Sequence, residues 1–144
     1  MSQQRTLQQK RAKQAFTDVN SVQDSVQKEY GSLVRGLPAL IQSDGLATTL
    51  VFLQAKGKAH HKDAYKHIGT WVLTKMFEND APKTANNDER KKIEKEIKDK
   101  VKATQFINWL VEVDSFMYRQ ATTETMAYLT WLKRFAEAKG IGDE

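Results

Sequence analysis

Between Asp114 and Lys139 the apolar-stripe side chains return every three or four positions: Met117, Tyr118, Ala121, Thr125, Tyr128, Leu129, Leu132, Phe135 and Ala136. That spacing describes one buried face of an α-helix, about seven turns long at 3.6 residues per turn. At about 100° per residue, Arg119, Thr123, Thr130, Lys133 and Glu137 fall on the opposite side, with Arg134 at its border. Asp114 or Ser115 is suited to accept a hydrogen bond from the first free N–H groups. Lys133, Arg134 and Lys139 sit near the C-terminal end, where the helix dipole favours cations. Gly140 supplies a stop. A helix this one-sided requires a groove built by the rest of the chain.

The first periodic run starts near Leu7 and continues through Ala12, Ala15, Val19, Val22, Val26 and Tyr30 to Leu33, Leu37, Leu40 and Ile41. Pro38 has no N–H for the carbonyl of Val34, and Gly31 and Gly36 weaken the same region. The expectation is a long first helix to about Arg35, a kink or break, and a short second helix ending at Gly45. Leu46, Leu50 and Leu53 form the stripe of a third, ending at Lys56-Gly57-Lys58. A fourth runs from about Lys62 to Glu78 on Tyr65, Ile68, Val72 and Met76. Trp71, Leu73 and Phe77 make it apolar over more than half its circumference, so it should be central.

Asn79 to Asn87 reads as a loop rich in turn formers. In Asp88–Lys102, twelve of fifteen residues are charged, seven positive and five negative, yet Ile93, Ile97 and Val101 keep an i, i+4 stripe. A solvated helix with a narrow contact face is favoured over a nucleic-acid arm, because the signs alternate. Thr104 would cap a short helix whose Phe106, Ile107, Leu110 and Val111 pack inward. With only seven Gly and two Pro, turn signals are too sparse for a sandwich or barrel. The fold class is all-α: a compact single-domain bundle of six to seven helices over residues 1–144, with the 79–102 loop and charged helix as a variable part.

Cysteine is absent, which excludes disulfides and thiolate metal sites. No apolar run approaches the ~18 residues of a membrane span, and the N-terminus lacks an apolar signal core. A cytoplasmic location, with no membrane partner, is the expectation. The formal charge of +5 and pI of about 9.4 suit a polyanionic partner such as nucleic acid, or simply a soluble surface.

His60, Asp63 and His67 are the one ligand-like cluster, at spacings zinc could use. Lys62 and Lys66 beside them disfavour a cation, so no metal is assigned. Glu112 and Asp114, two residues apart, point away from each other. Glu124 stands alone at the boundary of the last helix. There is no strand for a phosphate loop to follow and no recognisable nucleophile turn. No catalytic residue, cofactor or small-molecule substrate is assigned. Trp71, Trp109 and Trp131 lie on or beside apolar stripes, where core packing is the usual role. Trp131, at a stripe border, and Met126, within the polar stripe, are the candidates for contact with a partner protein. The candidate nucleic-acid-binding cations are Arg119, Lys133 and Arg134, then Lys10 and Lys13. They would hold phosphates without reading bases. Lys56, Lys58, Lys62 and Lys66 form a further basic group.

Two stretches carry a resemblance. Tyr118, Arg119, Ala121, Thr122 and Glu124, followed by Leu129, Trp131, Leu132, Lys133, Arg134, Phe135 and Ala136, resemble the C-terminal signature of the small Cmr-type subunit of type III-B CRISPR effector complexes. Tyr30 to Gly57 is similar to the family's Tyr-Gly-x-Leu, Leu-Pro-x-Leu-Ile and Gly-Leu-x-x-x-Leu-x-Phe elements, in order. The resemblance implies a non-catalytic antiviral subunit that stacks on copies of itself and on the backbone subunits. Its partners would be those subunits together with guide and target RNA. The rival reading of the same bundle is a helical adaptor that binds only proteins.

Overall fold

The computed structural model describes residues 5–80, 86–102 and 104–141. Among them are seven helices and no strand: α1 (Leu7–Ser21), α2 (Asp24–Asp44), α3 (Leu46–Lys56), α4 (Ala59–Asp80), α5 (Asn87–Val101), α6 (Gln105–Glu112) and α7 (Ser115–Ala138). The all-α bundle is as expected. Helix α4 packs against α2, α3, α5 and α7, so the broadly apolar fourth helix is central. The charged stretch is helical, with Ile97 and Val101 buried beneath its solvated face. Part of the expected 79–87 loop lies outside the described residues, and Asn79, Asp80 and Asn87 belong to helices.

The first break falls elsewhere than expected. The chain leaves the helix at Val22 and Gln23, both extended, and α2 then runs unbroken through Gly36 and Pro38. The local signals were the polar turn formers Asn20, Ser21, Asp24 and Ser25. Gln27 Nε2 donates to the freed Val22 carbonyl at 3.1 Å. Asp24 brings negative charge to the new helix start. At Pro38 the balance goes the other way. A helical proline costs about 3 kcal/mol, whereas Val34, Leu37 and Ile41 are at most 3% exposed. Each such aliphatic gains roughly 1.5–3 kcal/mol on burial, so keeping the stripe in phase wins.

Helices α2 and α3 meet at Gly45, whose φ of 89° is a conformation side chains disfavour. Its N–H donates to the Ile41 carbonyl at 2.8 Å, closing α2. Close approach decides Gly69 on α4, where an added Cβ would lie 3.1 Å from the Phe106 ring. That contact seats α6 on α4. Thr104 occupies the N-cap of α6 without a side-chain cap bond, and Val111 is 59% exposed rather than packed inward.

Helix α7 begins as anticipated. Asp114 Oδ1 accepts from Met117 N–H at 2.8 Å. Its end is closed by Gly140 N–H donating to the Glu137 carbonyl and Ile141 N–H to that of Ala136, both at 3.0 Å, a Schellman arrangement. The opposing groove is supplied above all by α1, with α2 and α4.

Candidate nucleic-acid interface

The site is built on the seam where α1 and α4 meet α7. Inside the seam, polar groups are matched. Glu124, only 8% exposed, accepts from Arg11 Nε at 2.7 Å, Arg11 Nη2 at 2.9 Å and Trp71 Nε1 at 2.9 Å. Burial alone would raise its pKa. The hydrogen bonds from Arg11 and Trp71, with the charges of Arg11 and Lys75, outweigh burial and lower it. Trp71 stacks on Tyr128 at 5.9 Å. The Tyr128 hydroxyl donates to Asp18 Oδ2, and Gln14 Nε2 to Asp18 Oδ1. Burial, then nearby Tyr30 and Asp18, push the Tyr128 phenol well above its ordinary range, so it stays a donor. Glu124 is therefore the centre of a three-helix junction, not a solitary carboxylate.

The same polar layer takes up His67, one of the three residues of the ligand-like cluster. Ser21 Oγ gives its proton to the Asp18 carbonyl. The 3.3 Å contact with His67 Nε2 therefore has the imidazole as donor. His67 Nδ1 is then free to accept from the Tyr30 hydroxyl at 2.7 Å. Burial holds the His67 pKa low against Asp18 and Asp63, which would raise it. Among the described residues no group of three or more His, Cys, Asp or Glu side chains could hold a metal ion.

At the mouth of the seam the chemistry is open. A groove of about 600 Å³ is lined by Lys10, Lys75, Arg119, Leu7 and Phe116, among others. A second depression of about 480 Å³ shares Lys10 and Lys75 and adds Arg5 and Lys13. Among the described residues two carboxylates border these surfaces. Glu124 is held by Arg11, and Glu78 by Lys75 at 2.8 Å. Lys75 also lies 4.6 Å from the Trp71 ring centre, a cation–π distance. Arg119, Lys10 and Lys13 are exposed and form no ion pair among the described residues. Phe116, 58% exposed, lines the groove with Lys10 and Arg119. It was missed because it lies off the apolar stripe. Its place one turn before Arg119 was the available signal.

Arg119, Lys10 and Lys13 are thus brought onto one connected surface. Lys133 and Arg134 are not. They lie about 21 Å further along α7 at 1.5 Å per residue, where Arg134 Nη1 meets Glu137 at 3.2 Å. Trp131 is half-buried, donating to Gln8 Oε1 at 3.0 Å and stacking on Phe135 at 5.8 Å. Phe16, 51% exposed, packs edge-on to Phe135 at 5.4 Å and extends this aromatic patch. Met126 is not exposed as expected but half-buried against the core. Trp109 packs between Phe106 and Phe77.

Residues 7–139 match the family model described as CRISPR-associated protein (Cas_Cmr5). The chain belongs to that family. It is a subunit of the type III-B Cmr complex of CRISPR antiviral defence, and other subunits of that complex are its partners. The match spans both stretches that carried the resemblance and the charged helix α5 between them. Among the described residues no helix is long and apolar enough to cross a membrane.

Proposed function

We propose that this Cmr subunit acts without catalysis of its own, stacking on copies of itself and steadying target RNA along the guide. The observation that carries the RNA reading is that Lys10 and Arg119 line one groove with the exposed Phe116, and Lys13 lines the adjoining depression that shares Lys10. Unpaired cations suit phosphates, and an exposed aromatic face suits an unpaired base. Neither reads sequence, which base pairing with the guide would supply. The Phe16–Phe135–Trp131 patch is the surface for the next subunit. A head-to-tail contact of this kind repeats into a short helical filament.

The test is target-RNA binding by reconstituted complex carrying Arg119→Ala, Lys10→Ala and Lys13→Ala together. Affinity should fall about tenfold or more, and the salt slope should shrink by about 2, at roughly 0.7 per lost phosphate contact. Unchanged affinity and slope would move the site elsewhere. Binding that ignores salt in the parent complex would favour the protein-only adaptor. Lys133→Ala with Arg134→Ala should have the smaller effect.

A further inference from the structure

A second basic cleft lies away from the seam, between α4 and α5, and the RNA reading makes no use of it. It measures about 590 Å³ and is lined by Gln54, Lys62, Tyr65, Lys66, Thr70, Lys98, Val101 and Lys102. Among the described residues no lining side chain is acidic. Lys62 and Lys66 stand one turn apart on α4, while Lys98 on α5 and Lys102, the extended residue that caps its C-terminal end, supply two cations to the other wall. Lys62, Lys66 and Lys98 form no ion pair among the described residues, and Lys102 has only a long, solvent-exposed contact with Asp99 at 3.6 Å. The floor is largely apolar: Val101, the nearly buried Tyr65, and the aliphatic stems of the lysines themselves.

We propose that this cleft docks an acidic, amphipathic helical segment of another subunit of the complex. Charge complementarity selects an anion. The arrangement selects a helix, whose apolar face meets the floor while carboxylates one turn apart meet the two lysine rows. Nucleic acid fits less well. Tyr65 is 3% exposed, so the cleft has no ring face on which a base could stack. Every cation is lysine, a point charge, and none is the arginine fork that grips phosphate bidentately. The proposal also gives α5 a purpose: Ile97 and Val101 anchor it so that its lysines complete the second wall.

Zero-length carbodiimide coupling of lysines to carboxylates in the assembled complex tests this. At least one of Lys62, Lys66, Lys98 and Lys102 should be joined to an Asp or Glu of another subunit. That residue should lie in a segment whose apolar residues recur at three-four spacing. Lys66→Glu with Lys98→Glu should lower incorporation into the complex about tenfold, and Lys66→Arg with Lys98→Arg should preserve it. Both sites are exposed, and circular dichroism checks that the variants stay folded. Absence of any link to another subunit overturns the proposal, as do links only to a second copy of this chain. Protection of the lysines from acetylation that vanishes when ribonuclease removes RNA overturns it too, by making the cleft a nucleic-acid surface.

Discussion

The inside and the mouth of the α1–α4–α7 seam draw on the same residue types and put them to opposite use. Arg11 and Lys10 are neighbours in sequence, yet Arg11 is consumed by Glu124 and Lys10 reaches solvent. Trp71 is 6% exposed, gives its N–H to Glu124 and stacks on Tyr128, whereas Phe116 is left bare. A buried charge must be matched within the chain, because leaving it unmatched costs more than the pair itself contributes. An exposed cation carries little such constraint and keeps its charge for a partner. Which role a residue takes is set by the neighbouring helix, not by its own chemistry.

The sharpest way to break this contrast is Glu124→Ala. It strands Arg11, whose side chain is 15% exposed, and removes the acceptor of Trp71. Unfolding free energy from urea titration should fall by about 3 kcal/mol, within the range for breaking a buried pair, while the folded fraction still binds RNA. A variant that kept its stability but lost RNA binding would reverse the two roles. Next in size is Tyr128→Phe, which takes one donor from buried Asp18. The loss should be about 2 kcal/mol, read by the same titration, again without change at the groove.

Much of the fold was legible because it depends on period. The stripe of α7, the central position of α4 and the narrow contact face of α5 all follow from spacing alone. The break at Val22 was not legible in that way. Whether a helix bends at a proline or at a polar pair depends on how much apolar surface each choice buries, and that is a tertiary quantity. The site divides similarly. Arg119, Lys10 and Lys13 could be picked as candidate cations, but their convergence depends on how α1 lies against α7. Glu124 could not be told from a surface carboxylate, since its partners, Arg11 and Trp71, are 113 and 53 residues away.

At the mouth, Phe116→Ala sharpens the contrast from the other direction. Removing a stacking face should cost about 1 kcal/mol of RNA affinity, measured by fluorescence anisotropy in the reconstituted complex. The salt slope should not change, because no phosphate contact is lost. Stability should move by less than about 0.5 kcal/mol, as for an ordinary surface change. A fall in the salt slope would show that Phe116 positions Arg119 instead of meeting a base.

The smallest effect is that of pH, and it separates the two regions without mutation. His61 and His67 both have lowered pKa values. Burial is the main cause in each, aided at His61 by His60, Lys56 and Lys58 and at His67 by Lys66. The unfolded chain therefore binds their protons first, near the ordinary histidine value of about 6.5. Stability is full above that pH and declines as pH falls toward the lower folded values. Glu124 adds a further loss only below the ordinary glutamate range, where its pKa is lowered on folding. The urea midpoint should thus drop between pH 7.5 and 5.5, and His67→Gln should flatten part of that drop. The groove contains no histidine, so RNA affinity of the folded protein should stay level over the same interval. A parallel fall in affinity would mean that the buried layer and the groove are one coupled unit, and the division between them would fail.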